Sequence, residues 1–216
     1  MRWVVLAAGA LLPFTLSAGS LVLGVHNGDN FIPFGGPASG YPGTRYQEAY
    51  ASSLFSSLSG PISITAIDFF PSFPGGTLYG GTYQLSLSTI SAGVNTLSDT
   101  NFDGNLGANN TVFTTVALSG PAPSELTFTG GPFTYNFVSG NLLLDIKITN
   151  PSVYTGKEFE DCGGGCSGIA RYHNFGTATI GYGLVTEFDF SALGIPEPGT
   201  LILFGAGLAA LLLRRK

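Results

Sequence analysis

Charge is what this sequence has least of: Asp, Glu, Lys and Arg together make up 10% of its 216 residues. A helical bundle or coiled coil draws on Ala, Glu, Lys, Leu and Arg, and a disordered chain is solvated by charge, so both classes are excluded. Positive charge is scarcer still, and four of the eight bases, Arg2, Arg214, Arg215 and Lys216, sit at the extreme ends. Between residues 20 and 195 four bases face twelve acids, a formal charge of −8 that excludes nucleic acid as a partner. Only His26 and His173 could act as neutral-pH bases, which leaves little material for a His-assisted nucleophile. There is no G-x-S-x-G elbow, no H-E-x-x-H and no G-x-x-x-x-G-K-[ST] loop. No repeat recurs at a fixed period, so propellers and solenoids are not expected.

What the chain has in quantity is backbone punctuation, with 32 Gly and 13 Pro, and an apolar fraction of 44% that is enough to fill one core. Between the punctuators runs period-two alternation. Ile62 and Ile64 alternate with Ser63 and Thr65 and lead into Ile67-Asp68-Phe69-Phe70. Tyr83, Leu85 and Leu87 alternate with Gln84, Ser86 and Ser88, and Val112 to Leu118 is a further run. Leu126 to Phe128 and Phe133 to Phe137 are read as two strands separated by a turn at Gly130-Gly131-Pro132. Leu142, Leu144, Ile146 and Ile148 face away from Asp145 and Lys147, and Tyr182 to Phe190 opposes its apolar residues to Glu187 and Asp189. The expected fold is all-β, an antiparallel two-sheet sandwich, with a jelly roll favoured over an immunoglobulin-type topology. Arg45 to Leu58 fits either a helical stripe or a strand face carrying Tyr46, Glu48 and Tyr50, and the strand suits its surroundings better.

The two ends read as addresses. Arg2, an apolar run from Trp3 to Leu16 and small residues around Ala18 and Ser20 have the anatomy of a secretory signal peptide, assigned to 1–19, with cleavage after Ala18 or Ser20. The body then spans 20–193 and the tail 194–216. In the tail, Pro196-Glu197-Pro198 is held extended by its prolines and precedes an uncharged helix-forming run, 199–213, and the basic end Arg214, Arg215, Lys216. That run spans roughly 22 Å as a helix, short for a hydrocarbon core of about 30 Å, so transient insertion fits better than permanent anchoring. The basic end would stay on the cytoplasmic side as a membrane stop.

Pro-Glu-Pro, an apolar helix and a terminal basic cluster in that order resemble the PEP-CTERM sorting signal of Gram-negative bacteria that produce exopolysaccharide. The resemblance implies recognition by an exosortase-type transpeptidase, an inner-membrane intermediate, and transfer of the body to the cell surface or extracellular matrix. The run Gly131 to Tyr135 with Gly140 to Ile146 resembles a stretch in other exported proteins of this kind, and implies a common sandwich with no assigned activity.

Three groups of residues are candidates for chemistry in the body. Cys162-Gly163-Gly164-Gly165-Cys166 fits a local disulfide in an exported chain, the alternative being a metal site with His173 that is one ligand short. Asp99, Asn101, Asp103 and Asn105 match the first half of a calcium loop, the only cofactor the sequence suggests, but Asn110 replaces the bidentate Glu, and an Asx-rich turn accounts for the same residues. Glu158, Glu160 and Asp161 form an acidic cluster that fits a charged loop or one half of a glycosidase dyad. The functional expectation is a non-catalytic surface or matrix protein. The alternatives are a polysaccharide-binding module, using tyrosines such as Tyr41, Tyr46, Tyr50, Tyr79, Tyr83, Tyr154, Tyr172 and Tyr182 as platforms, and a secreted carboxylate-dyad hydrolase.

Overall fold

The computed structural model describes residues 17–36, 45–174 and 179–193. Twelve strands are present among them: β1 Ala18–Leu23, β2 Gly28–Asn30, β3 Arg45–Tyr50, β4 Ile62–Phe69, β5 Gly81–Ile90, β6 Thr111–Leu118, β7 Leu126–Tyr135, β8 Asn141–Thr149, β9 Phe159–Asp161, β10 Ile169–His173, β11 Thr179–Ile180 and β12 Thr186–Ala192. Single 3-10 turns occupy Ser52–Phe55, Asp103–Asn105 and Phe137–Ser139. Among the described residues no helix is long and apolar enough to cross a membrane. The signal peptide up to residue 16, Tyr41, Pro196, Glu197, Pro198, the run 199–213 and the basic end Arg214, Arg215, Lys216 lie outside the described residues.

Every pairing is antiparallel. One sheet has the order β1-β12-β4-β7 and the other β11-β10-β3-β8-β5-β6, while β2 and β9 form a small ribbon of their own. Take the eight long strands in chain order, β1, β3, β4, β5, β6, β7, β8 and β12. The first pairs with the eighth, the second with the seventh, the third with the sixth and the fourth with the fifth. That is one long antiparallel hairpin rolled into two sheets, the jelly roll expected from the alternation. It also brings the first and last of the described strands, β1 and β12, together as one pair.

The apolar pattern places the core between the sheets. Ile62, Ile64, Ile67 and Phe69 of β4 all face it, although 64 and 67 differ in parity. The ladder shifts between Ile64 and Ala66, so Thr65 is an extra residue that lets both halves of the strand bury their apolar side. The matching irregularity on β7 is Gly130-Gly131-Pro132, which corrects the expected turn there: Leu126–Tyr135 is one strand with a bulge. Gly130 sits so close to β6 that a Cβ would lie 2.2 Å from the Phe113 carbonyl oxygen, and Gly131 has φ +69°. Only glycine fits that approach. Phe137 leaves the strand for the 3-10 turn, and Tyr182 and Leu184 precede β12 rather than belong to it.

Phe34 packs against Phe69, Tyr83, Phe128 and Phe159 at one end of the core, and Tyr50, Phe55, Tyr135 and Phe188 interlock at the other. A second, smaller core lies on the outer face of the six-stranded sheet, where Val94, Leu97 and Phe102 cover Ala49, Leu143, Ala170 and Tyr172. The segment Arg45 to Leu58 resolves into β3 and a 3-10 turn, with Tyr46 and Tyr50 buried in the main core.

Candidate functional site

The tail leaves the body from an interior strand. β12 lies between β1 and β4, and its last amides are held on both sides: Ala192 N donates to Ser17 O at 2.9 Å and Leu193 N to Pro61 O at 3.0 Å. Ala18 and Gly19 pair with Ser191 and Phe190, so residues assigned from sequence to the leader are rungs of β1 here. Pro196 follows Leu193 by three residues, about 10 Å of extended chain.

Cys162 and Cys166 form a disulfide with Cα atoms 5.5 Å apart, as the spacing suggested. Both sulfurs are committed, which removes the metal alternative with His173. The ring is tied to its neighbours through the backbone, with Cys162 N donating to Gly183 O and Cys166 N to Gly181 O. Gly163 has φ +55°, and a Cβ there would lie 2.4 Å from Asn27 O. Beside the ring, buried Asp161 accepts from Gly163 N and from the Arg171 guanidinium, each at 2.8 Å. Burial raises the Asp161 carboxyl despite this help. Arg171 in turn covers the Tyr182 ring at 5.2 Å. His173 on the same strand is pushed down to about 4 by burial and by the Arg171 charge.

The acidic cluster is therefore not one loop. Asp161 is buried in β9, whereas Glu160 stands directly opposite Asp29 on β2. His26 lies between those two carboxylates, its Nε2 3.1 Å from Asp29 and its Nδ1 3.7 Å from Glu160. All three are partly exposed, and the imidazole ring stands beside two carboxylates that face each other across one rung.

Sequence reading missed the most perturbed carboxyl in the body. Glu48 points into the main core between Tyr46 and Tyr50 and is fully buried. Its Oε2 accepts from Tyr46 Oη at 2.5 Å and from Leu184 N at 3.1 Å, while Oε1 has no hydrogen-bond partner. Oε1 instead abuts Gly183, where a Cβ would lie 2.3 Å away. Burial outweighs the two donors and raises this carboxyl to about 8. The signal was present in the alternation, which put Glu48 on the same face as two large aromatics.

Three of the four residues of the suggested calcium loop are each turned to a different task. Asp103 is exposed and held low by Arg45, 3.0 Å away, with Lys147 at 3.6 Å. Asn101 Oδ1 accepts from Gly104 N. Asn105 is buried: its amide donates to Gln47 Oε1 and Ser98 O and its oxygen accepts from Ser98 N. Asp99 is partly exposed. These bonds pin the 91–106 segment over the outer sheet face, where Gln47 Nε2 also donates to Phe102 O and Asp145. Asp145, placed on the polar face by its alternation, is buried beneath that cover and paired with Arg45 at 2.5 Å. A shallow pocket beside the segment is lined by Thr96, Ser98, Asn101 and Asn105.

The tyrosines expected in loops and edges are mostly core. Tyr46, Tyr50, Tyr79, Tyr83 and Tyr172 are buried, and the hydroxyls of Tyr46, Tyr50, Tyr83 and Tyr172 are satisfied internally, as in Tyr83 to Tyr79 O and Tyr172 to Val94 O. A buried phenol needs such a partner, and inward-facing strand positions supply one. Tyr154 is 43% exposed and packs edge-on against Phe31.

No curated protein and no solved structure matches the chain. Comparison with known protein families finds the PEP-CTERM protein-sorting motif at residues 194–216, so the interior strand β12 delivers the body directly into a PEP-CTERM tail.

Proposed function

We propose that this protein is an exported, non-catalytic jelly roll that an exosortase-type enzyme recognises by its tail, and that the body is then held at the cell surface or in its polysaccharide matrix. The observation that carries the reading is the sorting motif at 194–216, which implies export, exosortase recognition and surface sorting. The non-catalytic part is supported by the state of the titratable groups. Glu48 is sealed in the core, Asp161 and Asp145 are bound to arginines, and His26 bridges two carboxylates. In this reading the apolar run 199–213 inserts transiently while Arg214, Arg215 and Lys216 hold its end, and the enzyme acts at or near Pro196-Glu197-Pro198.

Replacing Pro196, Glu197 and Pro198 together by Ala tests it. The mutant is expected to accumulate in the cytoplasmic membrane fraction, and release equal to that of the unmodified chain would overturn the reading. A polysaccharide-binding role is favoured by one observation, the exposure of Phe73 and Tyr154. Silence across acidic and neutral glycans on an array would leave the structural role alone.

A further inference from the structure

The loops at the end of the sandwich where the tail departs have an unusual composition. β4 starts there at Ile62, β7 ends there at Tyr135 opposite it, and β8 and β5 meet there at Asn141 and Ile90. The segments at this end are 51–61, the first part of the β5–β6 connection, 91–97, and 136–141, and none contains Asp, Glu, Lys, Arg or His. The acids of that connection, Asp99 and Asp103, come where it crosses the outer sheet face, Asp103 reaching Arg45 at the far end of β3. The first and third touch through their 3-10 turns, and Ser52 N and Ala92 O both bond to the Asn141 side chain. Val138 stands 79% exposed at the tip, and Leu193 is 37% exposed at the exit itself. The opposite end carries His26, Asp29, Glu125, Lys157, Glu158 and Glu160 in its loops and short strands.

Two facts therefore coincide at one end. The body has a formal charge of −8 between residues 20 and 195, yet the segments 51–61, 91–97 and 136–141 carry none of it. The chain also passes through it twice, since Ser17 and Ala192 are hydrogen-bonded neighbours. The apolar run of the tail begins six residues past Leu193, so extended chain holds this end within about 20 Å of the start of that run. A charged end resting on the bilayer surface would be partly desolvated there, whereas hydroxyl, amide and isolated apolar side chains are tolerated at an interface.

We propose that the charge-free end formed by 51–61, 136–141 and Leu193 is a membrane-apposed face that rests on lipid headgroups while the tail is inserted. The inference rests on the tail reading above and adds an orientation to it: acidic end outward, uncharged end toward the bilayer.

The full chain, reconstituted in phosphatidylcholine vesicles containing brominated-chain lipid, provides the test. A single environment-sensitive fluorophore is attached through Val138→Cys, or through Ser57→Cys as a second probe of the same end, and compared with Val153→Cys at the far end, where the native valine is 81% exposed. The disulfide is kept oxidised. Emission at 138 and 57 is expected to shift to the blue and be quenched several-fold more than at 153. Equal emission at both ends, in chains that float with the vesicles, overturns the proposal and leaves the tail reading intact. Failure to float overturns both. Shielding at 138 that appears only in native membranes, and not in pure lipid, overturns the lipid assignment in favour of a protein partner.

Discussion

Tyr46 donates its hydroxyl to Glu48, two residues along the same strand, at 2.5 Å inside the core. A carboxylate in that position is helped by two donors and penalised by the whole of its burial, and the balance keeps it protonated to about pH 8. Its pKa in the folded state lies above the ordinary value of 4.5. The stabilisation is therefore complete below about pH 4.5, declines as pH rises, and is lost above about pH 8. Thermal melts should show Tm falling from about pH 6.5 to about pH 8, by the equivalent of about 2 kcal/mol. Glu48→Gln should flatten the decline, and a decline that persists in this variant would assign it elsewhere.

His173 acts with the opposite sign. Its folded pKa of about 4 lies below the ordinary 6.5, so the folded state binds fewer protons than the unfolded chain between those values. Stability contributed by the neutral ring is present above pH 6.5 and lost as pH falls toward 4. The two groups oppose each other between 4.5 and 6.5 and separate outside that range. His173→Gln should remove the acid limb of the stability profile and leave the alkaline limb unchanged.

The Cys162–Cys166 ring closes a very short loop, so its effect should be local. Free-thiol titration of the native protein should find no thiols. Cys162→Ser with Cys166→Ser should lower stability by about 2 kcal/mol at most, and proteolytic nicking should rise first between residues 157 and 171.

Gly130→Ala places a methyl 2.2 Å from the Phe113 carbonyl oxygen, where neither backbone can yield without breaking the β6–β7 corner. A loss of about 3 kcal/mol is expected in chemical denaturation. Gly120→Ala is a poor control, because φ there is +81° although nothing lies near. Gly93→Ala, where the added methyl would meet only Thr96 side-chain atoms at 3.5 Å or beyond, should cost far less.

Asn105→Ala should release the 91–106 cover from the outer sheet face, since three hydrogen bonds go with it. About 2 kcal/mol is expected, with raised hydrogen exchange at Gln47 and Tyr172. Millimolar calcium should not move the melting midpoint, because Asp103 is paired with Arg45 and Asn105 is spent on the cover. A clear upward shift would restore the cation reading.

Much of the fold was legible because strand faces are written in covalent order. Ile62 and Ile64, Tyr83 to Leu87 and Leu142 to Ile148 announce their buried sides by alternation alone. The short strands β2, β9, β10 and β11 were not legible, since three-residue or polar pieces such as Phe159-Glu160-Asp161 carry too little pattern to separate from a loop. The Gly130-Gly131-Pro132 bulge looked like a turn because bulges and turns ask the same residues for the same backbone freedom. The buried polar groups were hidden for a different reason: whether Asp145 or Gln47 faces water depends on what the 91–106 segment does, and that segment has no periodicity.

By itself the sequence determined the all-β class, the disulfide and the sorting tail, each carried by residues adjacent in the chain, where spacing and local chemistry suffice. Only the tertiary structure decided that Glu48 is sealed beside Tyr46, that Thr65 resets the register of β4, and that Ser17 and Ala192 meet at a charge-free end. Those depend on pairing between distant segments, and pairing is settled by burial and backbone hydrogen bonds across the whole sandwich rather than by any local run.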